Sequence, residues 1–554
     1  MDIVDTVVLV ALLLVISFFG LFTALRATKK QACATEILHG ANVSIMTSAL
    51  SVCSGFLSAV SLLGFPAEIY YQGTMLFWYG PMYMVAFPLA AYFFLPVFYN
   101  LKLTSIYEIW LYVSVALYAP ALALSAVISI PLSVSVAVTA CLAALYVMLG
   151  GAKASIYTSA LQMVLILFSM VLIFSVSLYR FGFNSVLKSA VTGGRLQLLD
   201  FRIDPRIRHS VWSLMIGGTG NILCLFAANQ LTLQRYMAMS SLRSAQWVIL
   251  LNIPFNFLVL MTYIGAGLII YHKYLHCNPL LQSKDQLFPR FVVDELSKIP
   301  GMVGLFTASV YSAGLSTASA SYSALAAVFI EDVIKQFQTK VQKHEAMKSN
   351  TSIVLARYLP LLFCCLSMVV AYFCSLMETM VLQVSFSIFG VAGGPVLSVF
   401  CLGIFFPKIK GTAAFVAQLS SVIFSAFVAV GALVNRVKPV GLPVDEICER
   451  SNVTLVFVEK PEYGMVEPLN SNLWLIQLFR LSYQYYSISA VLVALIVAHI
   501  VQYFSGNTEY SPVEAKLLSP LLRLTRHRKR TAPSPDCTLE SKKDGEIPLR
   551  TTTM

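Results

Sequence analysis

The sequence predicts an all-α integral membrane protein with about thirteen transmembrane helices. Of its 554 residues, 58% are hydrophobic and 12% are charged, whereas a soluble globular chain has about 25% charged residues. Apolar runs of roughly twenty residues recur along the chain, which is the length that an α-helix needs to cross a bilayer, and barrel strands would be shorter and alternating. The runs are centred near residues 14, 56, 86, 117, 139, 170, 221, 258, 313, 363, 391, 422 and 494.

Charges at the ends of these runs predict the orientation of the chain. The first run, from Val4 to Leu25, has Asp2 and Asp5 at its start and precedes Arg26. A signal peptide carries its positive charge before the apolar run, so we expect an uncleaved helix. Each loop after an odd-numbered span contains Lys or Arg close to a span end, which predicts an extracellular N-terminus and a cytoplasmic C-terminus. The net charge of +12 reflects these loops and the basic tail, and it does not indicate a nucleic-acid partner.

The second span, from Ser48 to Thr74, is apolar but rich in small and helix-weakening residues. These are Ser51, Ser54, Gly55, Ser58, Ser61, Gly64 and Pro66, with Glu68 near one end. One interpretation is a loosened helix, which is tolerated at membrane depth only where it is buried in protein or lines a cavity, as in transporter sites. The alternative is a seam of small residues that lets two helices pack closely.

Three later spans share this composition. They contain GGTGN at Gly217–Asn221, the Ser- and Thr-rich stretch Phe306–Val328, and FGVAGGPV at Phe389–Val396. Spans two and seven are five apart, as are spans four and nine, which fits a five-helix unit repeated in inverted orientation with broken helices at the midplane. We expect spans two and nine to be loosened and to meet. The predicted membrane domain covers residues 1–505, with repeats at about 45–180 and 205–405, and residues 506–554 form a polar tail.

The available ligand chemistry points to sodium rather than to a catalytic centre. Unwound carbonyls and Ser or Thr hydroxyls supply the neutral oxygens that a hard monovalent cation prefers, and the sequence lacks a His/Cys/Glu cluster for zinc or iron. It has no Walker loop for ATP. Its histidines are not accompanied by the GxSxG motif that carries the nucleophilic serine of a hydrolase. We therefore expect no enzyme activity and no cofactor beyond sodium as coupling ion.

The polar loops and the tail carry four further candidate features. Cys277 and Cys448 lie in predicted outer loops, so they are either a disulfide pair or two separate thiols. Asn452 begins a glycosylation sequon in the second of these loops. The basic run RLTRHRKR is either a stop-transfer flank or a contact for anionic lipid. The final residues, Thr552–Met554, fit a PDZ-domain ligand.

Several long segments match a known family. They include SAVSLLGFPAEIYYQGT, LGGAKASIYT, NQLTLQRYM, SAGLSTASASYSALAAVFIEDVIK and FGVAGGP. In these segments the chain resembles the sodium/solute symporter family, the relatives of sodium–glucose cotransporters, and most closely its branch of monocarboxylate, multivitamin and iodide transporters. The resemblance implies a leucine-transporter-type fold with a five-plus-five inverted-repeat core in spans two to eleven. It also implies alternating access and a place in the plasma membrane.

The resemblance also implies which residues form the binding sites. Sodium would be bound by the carbonyls of Ser54, Leu57 and Ser316 and by the hydroxyl of Ser319. The substrate pocket would include Phe56, Ser58 and Ser61. The implied function is sodium-coupled import of a small organic anion, either a monocarboxylate or a vitamin-like acid.

Three departures from the family pattern leave alternatives open. Ala320 stands where relatives carry a Ser or Thr ligand, and Ser159 stands where they usually carry Asp. The fourth span is short, since Glu108 is followed at once by apolar residues; this reflects an adaptation, a splice variant or a gene-model error. The alternatives to a coupled symporter are a sodium-independent facilitator and a non-transporting sensor or inactive isoform.

Overall fold

A computed structural model describes residues 2–28, 43–101, 131–275, 278–279, 281, 283–334, 349–374, 381–435, 437, 441–444 and 474–505. These residues are predominantly helical, which confirms the all-α class. Several predicted features lie outside the described residues: the fourth span with Glu108, the cysteines Cys277 and Cys448, the sequon at Asn452, and the tail 506–554 with its lipid and PDZ-domain candidates.

The main helices run in the following order along the chain. They are α1 (Ile3–Thr28), α2 (Ile45–Phe56), α3 (Ala59–Gln72), α4 (Tyr79–Leu89), α5 (Leu95–Leu101), α6 (Leu132–Phe181), α7 (Phe183–Thr192), α8 (Gly218–Phe226), α9 (Gln230–Met237), α10 (Leu242–Lys273), α11 (Leu287–Phe291), α12 (Met302–Val328), α13 (Ser349–Cys374), α14 (Val381–Ile388), α15 (Gly394–Phe405), α16 (Gly411–Val434), α17 (Trp474–Phe479) and α18 (Tyr486–Phe504). Short π-helical turns at Ala90–Phe94, Ser213–Gly217 and Phe389–Gly393 join helices within spans three, seven and eleven.

Helices lie at every predicted span position except the fourth, near residue 117, which is not described. Predicted spans five and six are both contained in α6, which kinks at Gly151. Gly151 has φ 61° and ψ −160°, a left-handed region that glycine adopts without steric cost. The adjacent Gly150 packs directly on α1, since a Cβ there would lie 2.5 Å from the Cα of Ala24. The kink therefore lets the chain turn back while α1 packs against it.

Spans two and seven are broken helices. α2 and α3 meet at a bend of 59°, and the segments Ser213–Phe226 and Gln230–Met237 meet at a bend of 55°. Asn229 caps the second half of span seven, because its side-chain oxygen accepts a hydrogen bond from the N–H of Leu231 at 2.8 Å. The structure thus favours the loosened-helix interpretation of span two over the small-residue seam.

The expectation that span nine is loosened is wrong. Its helix, α12, runs without interruption and is buried along its whole length. Its hydroxyls support the helix, since Ser312 and Ser321 donate to the carbonyls of Ala308 and Thr317 at 2.6 and 2.7 Å. Small side chains along such a helix let neighbouring backbones approach closely. Span nine is therefore a continuous helix that packs against α6, α1 and α13 and also contacts α2.

Candidate functional site

The break in span two releases two backbone carbonyls. Leu57 and Ser58 have ψ angles of 67° and 166°, outside the helical range. In a continuous helix the N–H groups of Ser58 and Ser61 would donate to the carbonyls of Ser54 and Leu57. Instead Ser58 donates to the carbonyl of Phe56 at 2.8 Å, and Ser61 donates to the carbonyl of Ser58 at 3.0 Å. The carbonyls of Ser54 and Leu57, both predicted sodium ligands, have thus lost their usual helical donors.

The unbroken helix α12 brings predicted hydroxyls to this break. The hydroxyl of Ser54 donates to Oγ of Ser316 at 2.7 Å, and Ser319 Oγ donates to the carbonyl of Ser316 at 3.1 Å. A weaker contact of 3.5 Å joins the hydroxyl of Thr317 to the carbonyl of Gly55. These side chains are buried. The structure therefore brings together three of the four predicted sodium residues, and the fourth, Leu57, lies at the break itself.

Ser155 is a further residue of this cluster that sequence reasoning missed. It lies on α6, and its Oγ is 3.3 Å from Oγ of Ser319. Its side chain is buried. In the sequence it belongs to GGAKAS, which reads as an inner loop, and only its position four residues after the Gly151 kink could have marked it as facing the core. It adds a hydroxyl from a third element.

Two of the three departures from the family pattern lie on α12 and α6, the helices that contribute to this cluster. Ala320 is buried and offers no side-chain oxygen. Ser321, its neighbour, donates its hydroxyl to the carbonyl of Thr317 within its own helix. Ser159 is fully buried, and its Oγ has no hydrogen-bond partner within the part of the chain that the structure describes. The oxygen set suits a hard cation of low charge, with fewer ligands than the family pattern implies.

The predicted substrate residues also lie at this break. Phe56, the last residue of α2, has its ring centroid 5.1 Å from that of Phe226, the last residue of α8. Each ring immediately precedes the break of its own span, so the two breaks are adjacent. Ser58, which immediately precedes α3, and Ser61, in its first turn, are both buried. The structure therefore brings the three predicted substrate residues to one break.

The first turn of α3 provides donors for a negatively charged group. The first N–H groups of a helix lack intrahelical acceptors and carry the positive end of the helix dipole, which favours anions. The hydroxyl of Ser61 already donates to the carbonyl of Ser58 at 2.8 Å. To donate to a carboxylate, this hydroxyl would have to rotate away from the carbonyl of Ser58. The backbone N–H groups at the N-terminus of α3 can donate without such a change.

A buried arginine lies next to the half of span two that precedes the break. Arg235, in the last turn of α9, donates from Nε to the hydroxyl of Ser51 at 2.7 Å, and both side chains are buried. A Cβ on Gly55 would lie 3.3 Å from its Nη2 atom. Sequence reasoning looked for a cation in the middle of spans two and seven and missed this one near a span end. Its positive charge beside the broken helix favours an anionic co-substrate.

A second polar cluster lies at the opposite end of α3. Arg208 Nε donates to Oε1 of Glu68 at 2.6 Å, Arg208 Nη1 donates to Gln383 at 3.0 Å, and the guanidinium lies 4.8 Å from the ring centroid of Tyr483. His209 contacts the hydroxyl of Tyr483 at 2.9 Å. Burial lowers the pKa of His209 to about 4, so this ring is neutral at pH 7. The cluster joins span two to the segment before span seven and to spans eleven and thirteen.

Comparisons with known proteins show which family the chain resembles. The profile of the Sodium:solute symporter family matches residues 101–420. The chain is 32% identical to the sodium-coupled monocarboxylate transporter 2 of Bos taurus, covering 94% of this chain and 87% of that protein. It is 31% identical to the sodium-dependent multivitamin transporter of Oryctolagus cuniculus, covering 94% and 85%.

A solved structure shares the fold. A Na⁺-coupled sialic acid symporter in its substrate-bound outward-open state aligns with a TM-score of 0.72 at 19% identity, covering 92% of this chain and 100% of that one. This likeness confirms the predicted leucine-transporter-type fold. Because the profile matches more than half of the chain and both relatives are matched over most of their length, the chain belongs to the sodium:solute symporter family.

Proposed function

We propose that the chain is a sodium-coupled symporter of the plasma membrane that imports a small organic anion by alternating access. The single observation that carries this proposal is the contact between the broken span two and the hydroxyls of α12, with Ser54 2.7 Å from Ser316. Carbonyls of an unwound helix are the groups that coordinate sodium in transporters of this architecture. Sodium entering at −100 mV releases about 2.3 kcal/mol from the voltage alone, which can drive accumulation of a substrate.

The substrate class follows from the charges near the break. The N-terminus of α3 and the buried guanidinium of Arg235 both favour a negative group. The matched relatives are named for monocarboxylates and for vitamins, which supports a monocarboxylate or a vitamin-like acid. Phe56 and Phe226 supply an apolar wall for the rest of the molecule. The positively charged loop ends support an extracellular N-terminus and a cytoplasmic C-terminus.

A sodium-independent facilitator is the second candidate. It is favoured by Ala320, which removes one expected ligand, and by Ser159 in place of the usual acid. A non-transporting sensor or inactive isoform is the third candidate and rests on the same departures. In each alternative the fold is retained and coupling or movement is lost.

Uptake of labelled anions separates these functions. The full chain is expressed in cells, and uptake of lactate, butyrate, nicotinate and biotin is compared in sodium and in choline medium. We expect saturable uptake of at least one acid that requires sodium. Saturable uptake that is equal in choline would establish the facilitator, and the absence of uptake by protein shown to be at the cell surface would establish the non-transporting form.

Restoring the missing oxygen should strengthen sodium binding. Ala320→Thr adds a hydroxyl beside Ser319, and one such ligand is worth about 1–3 kcal/mol, or roughly five- to a hundredfold in affinity. We expect the half-saturating sodium concentration for uptake to fall by this factor. Ala320→Val is the matched control, since it has the same shape without the oxygen. An equal change in both variants would mean that this position does not contact sodium.

A further inference from the structure

The hydroxyl of Tyr263 is a buried polar group that the fold itself does not use. Tyr263 lies on α10, in predicted span eight, and is 2% exposed. Its hydroxyl makes no hydrogen bond of normal geometry with any atom in the described part of the chain. Buried polar groups almost always have a partner, because leaving one unsatisfied costs free energy. This hydroxyl therefore marks a place where a ligand is expected to supply the partner.

Close packing between α10 and α3 places this hydroxyl at the start of α3. A Cβ on Gly267 would lie 2.7 Å from Cβ of Ile69, so the two helices touch there. One turn earlier on each helix, the ring of Tyr263 stacks on that of Phe65, with centroids 5.5 Å apart and planes at 23°. The two helices therefore run parallel, and a long helical side chain leans towards the N-terminus of its own helix. The Tyr263 hydroxyl accordingly lies beside that of Ser61, without forming a normal hydrogen bond to it.

The start of α3 favours an anion, and Tyr263 adds a side-chain donor there. The first N–H groups of this 14-residue helix lack intrahelical acceptors and carry the positive end of the helix dipole. The hydroxyl proton of Ser61 is already donated to the carbonyl of Ser58, whereas the phenol proton of Tyr263 is not committed. An ionised carboxylate only accepts hydrogen bonds, and it accepts several. The free phenol and the helix N-terminus together therefore complement a carboxylate.

A neighbouring tyrosine shows the contrasting, structural case. Tyr79 also packs on Phe65, with ring centroids 6.0 Å apart, and it is fully buried. Its hydroxyl donates to Oε1 of Gln484 at 3.0 Å, which ties α4 to the segment before α18. Two buried tyrosines thus pack on the same ring, but only the hydroxyl of Tyr79 holds parts of the fold together.

We propose that Tyr263 is a substrate-binding residue whose hydroxyl donates a hydrogen bond to the carboxylate of the transported acid at the N-terminus of α3. This inference rests on the proposed function, and it adds span eight to a pocket that the family resemblance assigned to span two. A hydrogen bond to a charged acceptor is roughly twice as strong as one to a neutral acceptor. The contact therefore favours an acid over the corresponding amide.

Thermal unfolding of the purified full chain separates binding from folding. The protein is titrated in detergent and sodium chloride with lactate, butyrate, nicotinate or biotin, and with their amides. A ligand that binds the folded state raises the unfolding temperature as its concentration rises. Tyr263→Phe keeps the ring and removes the hydroxyl, so we expect the half-maximal acid concentration to rise about tenfold or more and that of the amide to change less. Without ligand, the variant should unfold at the same or a higher temperature, because the lost hydroxyl had no partner.

Tyr79→Phe is the matched control. It removes a hydroxyl that is bonded to Gln484, so it should lower the unfolding temperature without ligand and leave the half-maximal acid concentration unchanged. The proposal is overturned if Tyr263→Phe binds the acid as tightly as the unaltered chain, or if it loses as much stability without ligand as Tyr79→Phe. If the unaltered chain responds to none of the four acids, the proposed anionic substrate is itself wrong, which is a separate result from a failure of Tyr263 alone.

Discussion

Replacing Glu68 with Gln is expected to destabilise the protein by about 3–5 kcal/mol, the usual cost of removing one partner of a buried ion pair. Both side chains of the pair are buried, with Arg208 5% exposed and Glu68 fully covered. In the variant the guanidinium keeps its contacts with Gln383 and Tyr483 but loses the opposite charge at 2.6 Å. Thermal unfolding in detergent measures this effect.

Two further variants make the Glu68 prediction specific. Asp200→Asn breaks a partly exposed pair with Arg202, and such pairs contribute about 0–1 kcal/mol. The double variant Glu68→Gln, Arg208→Gln removes both charges and should recover part of the loss. If Glu68→Gln unfolds at the same temperature as Asp200→Asn, the buried pair does not stabilise this end of span two.

Replacing Gly304 with Ala should also destabilise the fold strongly. α1 crosses α12 at this residue, and the N–H of Gly304 donates to Oδ1 of Asp5 at 3.3 Å. A Cβ at Gly304 would overlap the backbone carbonyl of Asp5, which cannot rotate away as a side chain can. Forcing extra volume into a packed contact costs about 1–3 kcal/mol, so we expect a lower unfolding temperature.

Gly403 provides the matched control for this substitution. It lies within α15, and a Cβ there would meet nothing within 4 Å. Gly403→Ala should therefore stabilise the protein by up to about 1 kcal/mol, because Ala is the better helix former. Equal unfolding temperatures for the two variants would show that α1 is not packed against α12 in this way.

The fold could be predicted from the sequence because its signals are local and repeated. Apolar runs and their flanking charges mark each span, and the density of Ser, Gly and Pro marks the break in span two. The same reasoning failed for span nine, where serines also accumulate. Composition does not show whether a hydroxyl replaces a lost helical bond or donates within an intact helix, as Ser312 does.

The site could be predicted only in part. Ser54, Ser316 and Ser319 are implied by the family resemblance, and in the structure Ser54 contacts Oγ of Ser316 while Ser319 contacts the carbonyl of Ser316. The partners that come from distant segments were missed: Ser155 on α6, Arg235 on α9 and Arg208 before span seven. These residues are far from span two in the sequence, and hydrophobic periodicity gives information only about residues within one helix. Their contacts with span two exist only because the folded bundle brings the helices together.

The most direct test of the account is equilibrium binding of ²²Na⁺ to the purified protein without organic substrate. Ser319→Ala removes a hydroxyl that faces both Ser155 and the carbonyl of Ser316, so sodium affinity should fall by roughly five- to a hundredfold. Ser321→Ala loses an equally buried hydroxyl that donates within its own helix, and it should leave the affinity unchanged. Saturable sodium binding with the same affinity in Ser319→Ala and in the unaltered chain would contradict a sodium site between span two and span nine.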